Sequence, residues 1–223
     1  MANHSYVGVW LREFSEASML GQFEQFLASA PLSSPSPYTR LIVQAVDPSE
    51  AALAEWNLRG QGLTAAEIAQ LVGEQANADA AFVVEAQWDL WVLEGIPLQW
   101  VRAPLPLTML CQGPEYDGGV CGETGHCHAD LGFEHLFTGH AHVLGTGAAT
   151  ASGCDEANER AFDEWILLGD NLREYHEKTR ENIQQLFSWV RGIEQALPVE
   201  AVRLWSEGEE NFEARLDEIL AVR

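Results

Sequence analysis

Five of the seven histidines lie between residues 126 and 142: His126, His128, His135, His140 and His142. They include two His-x-His doublets. In an extended strand, residues i and i+2 point to the same face, so each doublet sets two imidazoles side by side. Neutral imidazole and carboxylate bind zinc and other first-row divalent cations, and a three-ligand site with an open position acidifies bound water toward neutrality. Such water could attack an ester, amide or phosphate, with Glu123 or Glu134 as general base. The chain contains no His-Glu-x-x-His pair, no Gly-Lys-Ser/Thr phosphate loop, no Gly-x-Ser-x-Gly elbow and no Gly-x-Gly-x-x-Gly fingerprint.

The phase of the segment is informative. His126, His128 and Asp130 share one strand face, while Cys127, Ala129 and Leu131 share the other. His140 and His142 repeat the pattern against Ala141 and Val143. An antiparallel hairpin pairing Asp130 with His140 would set His128 opposite His142, bringing four imidazoles and a carboxylate onto one surface. The same alternation also describes a plain antiparallel sheet with Cys127, Ala129, Leu131, Ala141 and Val143 in the core and the histidines wetted. This second reading needs no ligand, and the sequence favours it. His135 is out of phase, His4 reads as a mobile terminus and His176 as a helix-surface residue.

Four cysteines, Cys111, Cys121, Cys127 and Cys154, read as reduced thiols, and their spacing lacks the short knuckles of structural zinc sites. An imidazolium neighbour would lower the pKa of Cys127, but adjacent strand residues face opposite ways, so a buried inert thiol is expected.

The net charge is −22, from 34 acids against 12 bases. Only Arg12, Arg40, Arg59 and Arg102 supply positive charge before residue 155. A field of this sign repels nucleic-acid phosphates and anionic lipid heads, so neither is an expected partner. A basic protein partner or a cation suits it better. No run approaches the roughly 18 apolar residues of a membrane helix, and the first residues lack a basic, then apolar leader, so a cytoplasmic protein is expected.

The elements that must position these residues follow from periodicity. Tyr6 to Arg12 reads as a strand, and Met19, Leu20, Phe23, Phe26 and Leu27 mark a helix from Ser15 to before Pro31. Leu41 to Val46 is a strand. Asp47-Pro48-Ser49-Glu50 suits a helix start, yet the same Asp-Pro could open a turn into a strand at Leu53 to Arg59, so residues 48–59 are either helix or strand. Thr64 and Glu67 form a capping box for a helix from Ala65 to about Ala76. Phe82 to Val92 alternates as a long strand, Leu98 to Val101 begins another, and Pro104 and Pro106 make its continuation an edge or an irregular extension. Cys111 to Gly125 reads as a long loop, and Gly145 to Gly153 as a second flexible stretch.

Beyond residue 155 the pattern is helical throughout. Phe162, Trp165 and Ile166 mark one helix. A long helix carries Leu172, Tyr175, Thr179, Ile183, Leu186, Phe187, Val190, Ile193 and Leu197 and ends at Pro198. Its apolar line is a packing face or, alternatively, a seam for a second copy. Ser206 reads as the cap of a final helix holding Phe212, Leu216, Ile219 and Leu220. The acids between Trp205 and Phe212 then suit that helix's first turn, or an exposed epitope for a basic partner.

Together these features predict an α+β protein. An antiparallel or mixed sheet with ferredoxin-like βαββαβ character occupies residues 1–150, and a helical region, 151–223, packs on it. The favoured function is a non-catalytic cytoplasmic interaction module for a basic protein partner. No cofactor is required by that reading. The alternative is a zinc-type metal-binding protein or hydrolase using His126, His128, His140 and His142, with Asp130 as a fifth ligand.

Overall fold

The computed structural model describes residues 3–95, 97–138, 162 and 164–221. Among the described residues, seven strands form one sheet: β1 (His4–Leu11), β2 (Arg40–Ala45), β3 (Ala54–Asn57), β4 (Ala80–Glu94), β5 (Gln99–Gln112), β6 (Cys127–Phe133) and β7 (Val199–Ser206). Their order is β3-β2-β4-β5-β6-β1-β7, and each neighbouring pair is antiparallel. The helices are α1 (Glu16–Ser29), α2 (Ala65–Leu71), α3 (Cys121–Thr124), α4 (His135–Thr138), α5 (Asn171–Ala196) and α6 (Phe212–Ala221). The fold is therefore mixed α+β with an antiparallel sheet.

The elements up to β4 follow the βαββαβ succession, but β5 and β6 separate β1 from β4 in the sheet. The ferredoxin-like character is not confirmed by this pairing. Residues 48–59 resolve as turn and then strand. Asp47 accepts hydrogen bonds from the Ser49 amide at 2.7 Å and the Ser49 hydroxyl at 2.6 Å, so the acceptor suited to capping a helix closes a turn instead. The box at α2 forms as expected: Glu67 N–H donates to Thr64 Oγ1 at 3.3 Å, and Thr64 N–H donates to Glu67 Oε2 at 2.8 Å.

The expectation of helix throughout the C-terminal part is corrected by β7, which pairs with β1 along Ser5–Leu11. Its signal was the short alternation of Val202 and Leu204 with Arg203 and Trp205, lying between two strong helical patterns. Ser206 ends this strand. Its hydroxyl accepts from the Glu209 amide at 3.0 Å, closing the turn before α6 rather than capping that helix.

Strand alternation sorts one face toward the core. Val7, Val9, Leu41, Val43, Phe82, Val84, Trp88, Met109, Cys111, Cys127, Ala129 and Leu131 are all buried there. They pack with α1, α2, α4, α5 and α6 through Phe23, Phe26, Ile68, Phe137, Ile183, Leu186, Trp189 and Leu216. The apolar line of α5 is thus used largely within the protein, with Tyr175, Ile183, Leu186, Trp189 and Ile193 buried. Burying one such side chain contributes about 1.5–3 kcal/mol.

Beyond β2, the long β4–β5 hairpin continues as an arm, and Pro104 and Pro106 lie on the stretch of β5 that β6 does not pair. A proline there removes no ladder hydrogen bond. Asn182 of α5 reaches the opposite edge of the arm. Its side-chain oxygen accepts from Trp91 N–H at 2.8 Å, and its amide nitrogen donates to Trp91 O at 3.0 Å and Leu136 O at 3.1 Å. One buried amide therefore completes a strand edge and ties α4 to it. No helix among the described residues is long and apolar enough to cross a membrane.

Candidate functional site

The second sheet face carries the predicted histidine positions. Two rows of directly paired residues cross it: Asn57, Arg40, Glu85, Thr108, Asp130, Tyr6 and Trp205, and beside them Glu55, Ile42, Val83, Leu110, His128, Gly8 and Arg203. Apart from Gly8, these side chains are half-buried or exposed. The loop after β5, expected as one long irregular stretch, folds over an end of this face. Tyr116 donates to Gln44 Oε1 at 3.1 Å, and Thr124 donates to Gln112 Oε1 at 3.1 Å. Gly8 is required where it passes beneath: a Cβ there would lie 2.5 Å from Thr124 O and 2.9 Å from the Trp205 ring.

The alternation expected around residue 128 is present, with Cys127, Ala129 and Leu131 buried and His128 and Asp130 half-exposed. The expected hairpin partner, residues 140–143, lies outside the described residues. His128 already has Leu110 on one side and Gly8 on the other, while Asp130 has Thr108 and Tyr6. Both edges of β6 are thus occupied over this stretch, by β5 and β1. The chain then enters α4, which places His135 against Phe133 at 5.6 Å. His140, His142, Cys154 and the expected boundary near residue 150 lie outside the described residues.

The three described candidate ligands do not converge. His126 precedes β6, stacks on Phe14 at 4.2 Å and accepts the Leu11 amide proton at Nδ1 over 2.9 Å, which leaves its proton on Nε2. His128 keeps its Nδ1 buried without a hydrogen-bond partner. Burial lowers the pKa of both imidazoles, that of His128 to about 4, against weaker opposing effects of Glu200 on His126 and Asp130 on His128. Both rings are therefore neutral at pH 7. Asp130 instead bonds His4, whose Nδ1 lies 2.9 and 2.8 Å from its two oxygens, and accepts from the Gly132 amide at 2.8 Å. Among the described residues, no group of three or more His, Cys, Asp or Glu side chains is placed to hold a metal ion.

The three described cysteines are free and buried. Cys111 and Cys127 face each other across β5 and β6 in the core. Burial, then the neighbouring Cys127, pushes the Cys111 thiol up, as expected for an inert thiol.

A cluster that periodicity did not reveal surrounds the His4–Asp130 pair. Tyr6 stacks on Trp205 at 5.5 Å and 20°, and its hydroxyl donates to Glu207 Oε1 at 2.8 Å. Glu207 Oε2 also accepts the His4 backbone N–H at 3.0 Å. Burial and the adjoining Glu207 push the Tyr6 phenol up, so it stays protonated. These donors hold Glu207 below its ordinary carboxylate range. Two aromatic rings and two carboxylates with spare lone pairs thus lie at one end of the face, an arrangement able to receive a cationic side chain. The only sequence clue was the aromatic-acid run at residues 205–212; the joining of Trp205 to Tyr6 depends on β7 entering the sheet. Comparison with protein-family models, curated proteins and solved structures finds no match.

Proposed function

We propose that the protein is a non-catalytic interaction module whose second sheet face docks a basic protein partner, with a lysine or arginine of that partner seated against Tyr6, Trp205 and Glu207. The stacked Tyr6–Trp205 pair beside Glu207 and Asp130 carries this reading. Aromatic faces attract cations, and tyrosine and tryptophan are the residue types that concentrate binding energy at interfaces. The net charge of −22 supports it at longer range, since an acidic surface speeds encounter with a basic partner.

A Lys/Arg-rich synthetic peptide tests the proposal, with binding followed by calorimetry and tryptophan fluorescence. Binding should be saturable, weaken as salt rises, and fall about 3- to 10-fold in Trp205→Ala with the melting temperature checked alongside. Glu207→Gln, an exposed change, should weaken it less. Undiminished binding by both variants, or no binding by the native protein at low salt, would overturn the proposed docking surface.

A further inference from the structure

We infer that Cys111 and Cys127 are an oxidisable pair, which a hydroperoxide converts to a disulfide clamping β5 to β6 at the base of the loop that covers one end of the second face. The ladder sets this pairing. Gln112 N–H donates to His126 O at 2.9 Å, so Gln112 and His126 form a hydrogen-bonded pair. Cys111 and Cys127, the next partners along, are therefore a non-hydrogen-bonded pair. The Cα atoms of such a pair stand about 4.5 Å apart, inside the roughly 4.4–6.8 Å range found across disulfides.

Both side chains point to the same side of the sheet, into the core, and neither is exposed. Their thiols are direct neighbours, since Cys127 acts on Cys111 through a side-chain hydrogen bond as well as through charge. Cys121, in α3 of the same loop, acts on Cys111 through charge alone, which makes it the more distant competitor. Burial raises the Cys111 thiol. That slows attack on an oxidant without changing which sulfur lies opposite. A small uncharged oxidant suits so enclosed a pair better than a bulky charged one.

With hydrogen peroxide, one thiol loses its proton and its sulfur breaks the O–O bond, giving a sulfenic acid and one water. The second sulfur then attacks the sulfenic sulfur. The S–S bond forms, the S–O bond breaks, and the departing hydroxide takes the second thiol's proton as another water. Two sulfurs thus give up two electrons, and the peroxide is reduced to two waters. The new bond joins the two ends of the loop, which is already held by Thr124 donating to Gln112 Oε1 at 3.1 Å and Trp10 Nε1 donating to Gly122 O at 3.1 Å. Cross-linking there restricts the unfolded chain and holds the ladder shut beside Gln112.

The full chain treated with hydrogen peroxide, folded and in urea, tests the inference by non-reducing peptide mapping, melting temperature and hydrogen exchange. The folded protein should lose two hydrogens and yield one cross-link, Cys111 to Cys127, whereas the unfolded chain, with four thiols free to meet, should yield a mixture. The melting temperature should rise by roughly 5 °C and exchange of the Gln112 amide should slow, both reversed by dithiothreitol. Cys121→Ala should form the same link, and Cys127→Ala should not. If the second variant fails to fold, the map of the native chain still decides. Sulfinic or sulfonic acid without a cross-link, a link to Cys121 or Cys154 in the folded protein, or thiols that stay free under peroxide would overturn the pairing. A link that leaves melting and exchange unchanged would overturn the clamp.

Discussion

Met109 and Leu110 are neighbours in β5, and their partners in β6 are Ala129 and His128. One pair is fully enclosed beneath the helices, whereas in the other Leu110 and His128 are only half-buried. The same two strands thus present a closed apolar side and a partly open side whose histidine has little water on one ring nitrogen. The strand period assigns the face; what covers that face determines the chemistry.

The largest expected effect tests this difference directly. Met109→Ala should destabilise the protein by about 2–5 kcal/mol in urea unfolding, while Leu110→Ala should cost about 1 kcal/mol. Equal losses would mean that the second face is as tightly enclosed as the first. The covered side also depends on a polar residue. Asn182→Ala should cost about 2–3 kcal/mol because it strands the backbone groups of Trp91 and Leu136. Asn182→Asp, which keeps the size and loses the donor, should restore little of that stability. Hydrogen exchange at Trp91 would show whether the β4 edge opens.

A third test uses pH. Burial lowers the pKa of His128 from 6.5 in the exposed chain to about 4 in the folded protein. Between those values the unfolded chain takes up a proton that the native ring does not, so stability falls as pH drops from 6.5 toward 4. This contribution should be on the order of 2 kcal/mol after allowance for partial exposure. His128→Gln should flatten the pH dependence of the urea midpoint across that window. A variant with the native slope would show that other groups govern the acid limb.

Much of the fold was legible in the sequence because its signals are local. The α2 capping box needs only Thr64 and Glu67, and the stripe of α5 needs only helical spacing. The prolines of β5 fit the stretch that β6 leaves unpaired, but the edge or irregular continuation expected after them is corrected by Thr108–Cys111, which pair with both β4 and β6. The alternation of Cys127, Ala129 and Leu131 with His128 and Asp130 was equally direct. Less of the candidate site could be read this way. His4 meets Asp130 across 126 residues, and Trp205 reaches Tyr6 only through β7. Neither pairing leaves a period in the chain.

The amino-acid sequence by itself determined which side chains share a face, where α2 begins and that the surface is acidic. Periodicity, capping and net charge act through neighbouring residues or simple sums, so one dimension is enough. Only the tertiary structure decided that β1 and β5 flank β6, and that β7 joins the sheet beside β1. Those outcomes depend on which distant strands and helices bury their apolar faces together. That competition is settled across the whole core, rather than by the residues of any one segment.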